Sequence, residues 1–147
     1  MSDVTIRAAI AEDHAHVVQL LRSAGLPVDG LDEQFGPAYA VAVADGAIVG
    51  AEGMERYDTA GLLRSAVVAP DWRGKGIGEA LTRDRLAWAA SNGIREVWLL
   101  TTTADAWFPR FGFQRADRAE APVPVQASRE FAEACPASAI AMRRVQP

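Results

Sequence analysis

Hydrophobic positions in the first part of the chain predict one strand and then one helix. The strand covers Val4–Ala8. In the segment Glu12–Ala24, hydrophobic residues recur at the three- and four-residue spacing of a single helical face, and Gly25 and Pro27 follow as stop signals. This pattern predicts an amphipathic helix that packs against a core.

Three further strands are predicted in succession. Tyr39–Ala44 and Ala47–Tyr57 flank Asp45-Gly46, a dipeptide that favours a two-residue hairpin turn because both positions need a positive φ. Leu62–Ala69 is the third strand of the group. The short connections predict an antiparallel meander.

The pattern changes at Pro70, after which a glycine-rich loop leads into a helix predicted over Gly76–Ser91. The hydrophobic stripe of this helix consists of Ile77, Ala80, Leu81, Ala87 and Trp88. Glu96–Thr102 is then a strongly apolar run, which is typical of a strand buried on both faces in parallel pairing. The unit from 62 to 102 is therefore predicted to be a strand–helix–strand crossover.

The last part of the chain predicts a short helix near Ala104–Phe111, a strand near Phe113–Asp117, a helix around Ser128–Ala134 and a final strand near Ala139–Val145. We therefore expect one domain over residues 1–147 in the α/β (α+β) class. Its centre is a mixed, mostly antiparallel sheet with helices on both faces.

Composition narrows the range of partners. The chain has 147 residues, a net charge of −4 and no apolar run long enough to span a membrane, so we expect neither nucleic acid nor membrane binding. The N-terminus lacks the pattern of a secretory signal, and Cys135, as the single cysteine, has no partner for an internal disulfide. We therefore expect a cytoplasmic protein.

The stretch from 67 to 78 carries the clearest functional signal. Glycines stand where a strand passes into a helix, so backbone N–H groups can approach a ligand there, and Arg73 and Lys75 add positive charge. This combination favours a pyrophosphate site. A P-loop needs Ser or Thr after Gly-Lys, whereas Gly76 follows Lys75, and the spacing G-x-G-x-G differs from that of a dinucleotide fingerprint.

With these residues the chain resembles the GNAT acetyltransferases. Their coenzyme A signature is Arg/Gln-x-x-Gly-x-Gly/Ala after a strand, and Arg73, Gly76 and Gly78 match it, as do Val68 and Pro70 before it. The similarity of element order extends from residue 5 to residue 142. The resemblance implies an acyltransferase that moves an acetyl group from acetyl-CoA to an amine, with no metal.

The resemblance also implies where acetyl-CoA binds. The strands around Val67 and Val97 are expected to splay apart so that pantetheine pairs with exposed backbone like an added strand. A backbone N–H near Val67 would face the thioester oxygen. The expected cofactor-binding residues are Val67, Val68, Arg73, Gly74, Lys75, Gly76, Ile77 and Gly78.

Two groups within the family are more similar still. Short acetyltransferases associated with arsenic resistance are similar at Leu62-Leu63-Arg64-Ser65, Leu100–Thr103 and Cys135-Pro136-Ala137-Ser138. The acetyltransferase domain of N-acetylglutamate synthases is similar at Leu100–Thr102, Trp107-Phe108 and Ser138. The first group implies an acceptor that is a small amino-acid-like amine, such as an arsenic- or phosphorus-containing amino acid. The second implies a role in arginine synthesis, and a non-catalytic acyl-CoA sensor is a third alternative.

Candidate catalytic residues follow from these expectations. Glu55 is the first candidate for the general base and Glu52 the second; because they lie three apart on a strand, they should point to opposite faces. Many family members carry a tyrosine at the position of Phe108 to protonate the leaving thiolate. Since phenylalanine has no proton to give, water or the hydroxyl of Thr102 or Thr103 is expected to do so.

Arg64 is the candidate for substrate binding. A charged residue in mid-strand needs a partner, so Arg64 either pairs with a neighbouring acid or binds an anionic group of the substrate. A small-molecule amine is the expected partner of the protein, and a homodimer is a further expectation from the resemblance. Cys135 is interpreted mainly as a packing residue.

Overall fold

The structure is a computed structural model that describes residues 3–134 and 138–147, so Cys135 lies outside the described residues. Seven strands form one sheet in the order β1-β2-β3-β4-β5-β7-β6. The strands are β1 Val4–Ala8, β2 Tyr39–Ala44, β3 Ala47–Tyr57, β4 Ala60–Val68, β5 Glu96–Thr101, β6 Gln114–Arg115 and β7 Ile140–Val145. The α-helices are α1 His14–Ser23, α2 Leu31–Gln34, α3 Ile77–Ser91 and α4 Val123–Gln126.

The predicted meander is confirmed, since β1 to β4 pair antiparallel with their neighbours in sequence. Asp45 and Gly46 have φ values of 53° and 75°, as a two-residue hairpin turn requires. Gly53 of β3 lies opposite Tyr39 of β2. A Cβ on Gly53 would come 2.2 Å from the Tyr39 ring, so glycine is needed for this ring to cross the strand.

The crossover from β4 through α3 to β5 is also confirmed, and it pairs the two strands over a short distance. The parallel register joins Ala60–Leu62 of β4 to Glu96–Trp98 of β5 and ends there. Beyond Leu62, β4 keeps only its β3 neighbour, whereas β5 continues to pair with β7 as far as Thr101. The sheet therefore opens between the C-terminal halves of β4 and β5.

Helices cover both faces of the sheet, as predicted. On one face α3 buries Leu81 against Ala40 and Val49 of the meander. On the other face α1 packs Val17 and Leu21 beside Tyr39, Val41 and Val67. Further along that second face, α4 and the following π-helical turn pack against β4, β5 and β7 through Val125, Phe131, Leu62, Trp98 and Ala141.

The predicted hydrophobic stripe of α3 was wrong in part. Ala80 and Ala87 are exposed, while Thr82 and Arg85 are buried on the inner face with Leu86. The Arg85 guanidinium is compensated by Asp84, by the carbonyl oxygen of residue 37 and by the ring of residue 88. Because two residues of the buried face of α3 are polar, the spacing of hydrophobic residues does not identify this face correctly.

Several short elements differ from the predictions. The helix predicted near 104–111 is one 3₁₀ turn, Phe108–Phe111, and the helix predicted near 128–134 is a π-helical turn, Glu130–Ala134. The strand predicted near 113–117 contains two residues. The short helices α2 and α4 were not predicted, since four-residue helices carry no periodic signal.

Candidate functional site

The separation of β4 from β5 creates a cleft of about 570 Å³. One wall consists of β4 from Leu63 to Val68, and the opposite wall of β5 and the threonines after it. The segment that follows α1 and the π-helical turn also contribute to the lining, through Gly25, Leu26, Pro27 and Glu130. Because β4 lacks a strand partner on this side, its backbone groups that face the cleft are available to a ligand.

The predicted cofactor loop lies at the start of α3, beside one end of the cleft. Gly74 and Gly76 have φ values of 76° and 81°, which glycine adopts without strain. Arg73 and Lys75 are exposed, and the Arg73 Nε donates a hydrogen bond to the Val68 carbonyl oxygen at 3.1 Å. The first turn of α3 thus presents unpaired N–H groups next to two cations.

Of the predicted cofactor residues, Val67, Val68 and Gly78 line the cleft directly. Ile77 is buried, and its side chain belongs to the core between α3 and the meander. Ile77 therefore contributes its backbone to the loop, not its side chain.

A β-bulge interrupts β4 in the middle of the cleft wall. Ala51 pairs with Val67 and Gly53 pairs with Arg64, so β4 contains one more residue than β3 between these pairs. Ser65 takes up the extra length with a φ of 61°, which is uncommon for a residue with a Cβ. The bulge changes the direction of the backbone and places Ser65 and Ala66 at the cleft.

Glu52 lies opposite this bulge and lines the cleft, although it is buried. Its Oε1 accepts a hydrogen bond from Thr82 of α3 at 2.8 Å, and its Oε2 has no hydrogen-bond partner among the described residues. Burial raises the pKa of Glu52 to about 8, against the opposing effects of the Thr82 hydrogen bond and of Arg85. A carboxylate with this pKa is matched to proton transfer from an amine.

Glu55 points to the other face, as its spacing from Glu52 predicts, and it does not line the cleft. Its carboxylate accepts hydrogen bonds from the hydroxyls of Tyr57 at 2.7 Å and Tyr39 at 3.4 Å, and pairs with Arg64 at 3.2 Å. Both oxygens are thus engaged in a buried network. Of the two candidate bases, Glu52, the second candidate from the sequence, is the one that lines the cleft, and Glu55, the first candidate, is not.

Arg64 lines the cleft but exposes none of its side chain. Besides Glu55, it has an ion pair with Glu130, whose Oε1 lies 3.8 Å from the Arg64 Nε. Of the two interpretations from the sequence, the structure shows the pairing with neighbouring acids. An acceptor's anionic group would therefore meet an arginine that already has two carboxylates near it.

Thr101, the last residue of β5, and the two threonines that follow it line the opposite wall. Thr101 Oγ1 accepts hydrogen bonds from the backbone N–H groups of Ala104 and Thr103, which fixes the turn. Thr102 and Thr103 are exposed in the cleft, within the same lining as Phe108. Phe108 is buried against Trp107 and Phe113, so its ring closes the wall as an apolar surface.

Sequence reasoning missed Glu130 and Thr82 as parts of the site. Glu130 lies in an irregular segment far from the cofactor loop, and Thr82 stands inside a helix, where nothing marks it as the partner of Glu52. Only the tertiary structure brings Glu130 to the cleft and Thr82 to the Glu52 carboxylate.

Residues 3–134 and 138–147 contain no group of His, Cys, Asp and Glu side chains arranged to hold a metal ion. In the same part of the chain, no helix has the length and apolarity needed to cross a membrane.

Comparison with known proteins agrees with this geometry. The profile described as an acetyltransferase (GNAT) domain matches residues 36–115. The amino-acid acetyltransferase of Ralstonia nicotianae is 32% identical over 121 residues, which are 76% of this chain and 26% of that protein. The chain thus spans about a quarter of the length of this curated relative.

Solved structures share the fold. N-acetylglutamate synthase from Neisseria gonorrhoeae, complexed with coenzyme A and N-acetyl-glutamate, superposes with a TM-score of 0.82 at 22% identity, over 97% of this chain and 35% of that one. Rv2747 from Mycobacterium tuberculosis, in complex with CoA, gives 0.82 at 21% identity over 97% and 99% of the two chains. At these identities the comparisons establish the fold.

The profile match covers more than half of the chain and contains β4, the glycine loop and α3. The prediction of the family is therefore confirmed. From the opened sheet, the glycine loop and these matches together, we conclude that the chain belongs to the GNAT acetyltransferases.

Proposed function

We propose that this protein transfers the acetyl group of acetyl-CoA to the amine of a small, amino-acid-like acceptor. One observation carries the proposal: the cleft between β4 and β5 leads from the glycine loop at the start of α3 to the buried carboxylate of Glu52. A pyrophosphate site at one end and a proton acceptor along the wall are what acetyl transfer to an amine requires.

In this proposal the cosubstrate occupies the gap in the sheet. The backbone N–H groups between Arg73 and Gly78 bind the pyrophosphate, with the positive charges of Arg73 and Lys75 beside it. Pantetheine then runs along Val67 and Val68 as an added strand, since β5 does not pair with β4 there.

The thioester would lie near the bulge of β4. A backbone N–H close to Val67 would stabilise the oxyanion of the tetrahedral intermediate, because the strand fixes this donor in place before the reaction. The strained backbone of Ser65 supports this position, since a bulge redirects N–H groups away from the regular strand ladder.

Glu52 is the general base of the proposed reaction. Glu55 lies on the other face of the sheet, where it pairs with Arg64. The attacking amine must lose a proton, and a carboxylate with a pKa of about 8 can accept that proton once it is ionised, increasingly so as pH rises through about 8. The attacking nitrogen forms a bond to the thioester carbon, and the C–S bond breaks. The departing thiolate takes a proton from water or from the hydroxyl of Thr102 or Thr103, which line the opposite wall.

The acceptor is proposed to be an amino acid or a close analogue. Support comes from the size of the cleft and from the amino-acid acetyltransferase named above as a relative. Arsenic- and phosphorus-containing amino acids are the first candidates, since N-acetylation would remove the ammonium group by which a target enzyme recognises them. Glutamate is the second candidate, supported by the similarity to N-acetylglutamate synthases.

The proposal is tested by measuring release of free CoA thiol from acetyl-CoA with a panel of acceptors. The panel contains glutamate, phosphinothricin-like and arsinothricin-like amino acids, polyamines, aminoglycosides and a histone-tail peptide. Preferred turnover of an amino acid, by kcat/KM, supports the proposal, and turnover of glutamate alone selects the second candidate. Preference for polyamines or for the peptide contradicts it, and tight acetyl-CoA binding without any turnover would indicate a sensor.

A further inference from the structure

Arg64, which lines the cleft, joins several segments of the chain. Its Nη1 donates to the carbonyl oxygen of Asp29 at 2.7 Å and to Glu55 at 3.2 Å, and its Nε donates to Ser65 Oγ at 3.0 Å. Its Nη2 has one long contact, 3.5 Å to the carbonyl oxygen of Pro27. Among the described residues that line the cleft, Arg64 is the only one with a basic side chain.

Glu130 lies beside this arginine under unusual conditions. It is 5% exposed, it lines the cleft, and its Oε1 is 3.8 Å from the Arg64 Nε, which is too long for a hydrogen bond. Its Oε2 has no hydrogen-bond partner within the described residues. The oxygens of a buried carboxylate normally accept hydrogen bonds, so the Glu130 carboxylate is an exception that needs an explanation.

The charges around Arg64 are already balanced without Glu130. The Arg64–Glu55 pair is buried, hydrogen-bonded and neutral as a unit. Glu130 therefore adds a second carboxylate to one guanidinium, and the Oε2 of this carboxylate has no hydrogen-bond partner among the described residues. An anionic group of an acceptor that reached Arg64 would be the third negative charge beside this guanidinium.

We propose that Glu130 occupies the place beside Arg64 that an anionic group of the acceptor takes, and thereby sets the charge preference of the cleft. The proposal rests on the acetyltransferase function proposed above and specifies its acceptor. For an acceptor with a side-chain carboxylate to bind, Glu130 must take up a proton or move away from Arg64. An acceptor of the same shape with a neutral side chain has no such requirement.

The charged environment of Glu130 gives this competition a pH dependence. Burial raises its pKa to about 7, the Arg64 charge opposes that shift and the Glu55 charge adds to it. Tyr39 faces the same group from β2, and Arg129, the preceding residue, has an ion pair with Glu33 at 3.8 Å. Glu130 is therefore protonated below about pH 7, and the affinity for anionic acceptors should fall as pH rises through this value.

Glutamate and glutamine form a matched pair of acceptors, with the same shape and one charge of difference. We would measure kcat/KM for both with the wild type and with Glu130→Gln, which removes the carboxylate charge at nearly constant volume. The expected result is a rise of about tenfold in the glutamate-to-glutamine ratio, with the KM for acetyl-CoA unchanged. In the wild type this ratio should fall between pH 6 and 8, and in Glu130→Gln it should be flat.

Glu120→Gln, an exposed glutamate outside the cleft, is the matched control and should leave the ratio unchanged. An unchanged ratio in Glu130→Gln, or an equal loss of activity with both acceptors, would overturn the proposal. If neither amino acid is acetylated, the proposed acetyltransferase function fails for this pair of acceptors. The role of Glu130 is then tested separately, by measuring the binding of a dicarboxylate. Calorimetry with glutarate should then show at least tenfold tighter binding to Glu130→Gln than to the wild type, and equal or absent binding to both would overturn it.

Discussion

The hydroxyl of Thr82 donates a hydrogen bond to Oε1 of Glu52 at 2.8 Å, and so connects the cofactor helix α3 to the proposed general base on β3. The bond favours the ionised carboxylate, whereas burial favours the protonated one, and the balance leaves the Glu52 pKa at about 8. The helix that begins at the proposed pyrophosphate site thus also adjusts the proton affinity of the proposed base.

Glu52→Gln should lower kcat/KM for the acceptor by about 100-fold, because glutamine cannot accept the proton of the amine. The part of the rise of kcat/KM with pH that reports ionisation of Glu52 in the free enzyme, through about 8, should be lost, and only the rise from deprotonation of the free amine should remain. Thr82→Val removes only the hydrogen bond and should move the Glu52 part of the rise upward by about one pH unit. Glu55→Gln is the comparison variant, and a larger loss there than in Glu52→Gln would reassign the base.

Arg64→Ala should destabilise the protein by about 3–5 kcal/mol, because it leaves the buried Glu55 carboxylate without its ion-pair partner. Urea unfolding followed by circular dichroism would measure the loss. The double variant Arg64→Ala and Glu55→Gln should recover part of it, since the unpaired charge is then removed as well. An unchanged unfolding midpoint in Arg64→Ala would show that the pair contributes little to the fold.

Stability should fall as pH rises from about 5 to 8. The unfolded chain has glutamate pKa values near 4.5, whereas burial raises Glu52 to about 8 and Glu130 to about 7, so the folded state holds more protons in this window. The contribution is fully present below the unfolded pKa and is lost as pH passes the folded values.

Glu130→Gln should therefore reduce the difference in unfolding free energy between pH 5 and pH 8, by on the order of 1–3 kcal/mol. Urea titrations at the two pH values would measure it. Glu120→Gln should keep the wild-type pH dependence. A wild-type dependence in Glu130→Gln as well would mean that Glu130 does not titrate in the folded protein within this range.

Gly78 offers a cleaner test of the acetyl-CoA site than Gly76. Gly76 has a φ of 81°, so any side chain there strains the backbone whether or not a ligand binds. A Cβ on Gly78 would lie 3.9 Å from its nearest neighbours, Val68 and Trp107, which is ordinary contact. Gly78→Ala should therefore fold normally, whereas Gly78→Glu would place a carboxylate at the cleft, beside the proposed site of the cosubstrate phosphates.

By calorimetry, Gly78→Glu should bind acetyl-CoA at least tenfold more weakly than the wild type. Gly78→Ala is the folded control for the change of backbone, and its loss should be smaller. Retention of wild-type affinity by a folded Gly78→Glu would place the cosubstrate elsewhere.

The sequence was sufficient for the elements whose local chemistry agrees with their tertiary position. Three such elements are the Asp45-Gly46 turn, the apolar run of β5 and the glycine loop. In each of them the conformation that the local sequence favours is the one that the fold requires. The opening between β4 and β5 was anticipated from the resemblance to a family and not from the residues alone.

The rest depended on information that local patterns do not carry. Which of Glu52 and Glu55 faces the cleft is decided by where β4 separates from β5, a property of the whole sheet. Thr82 and Arg85 are buried because polar partners reach them from distant segments, and periodicity treats them as exposed. Glu130 enters the site through a π-helical turn that has no sequence signature.

The short parallel ladder between β4 and β5 has a consequence for how the protein distributes its rigidity. One antiparallel unit extends from β1 to β4 and another from β5 to β7, and the strands of the two units pair directly at only three positions. A bound cosubstrate that hydrogen-bonds to both edges would act as the missing strand between them. Amide hydrogens along the cleft side of β4 would then exchange rapidly in the free protein and slowly in the complex. The sheet would become continuous only while acetyl-CoA is bound. The cosubstrate would then itself supply the rigidity that the two halves of the sheet lack in the free protein.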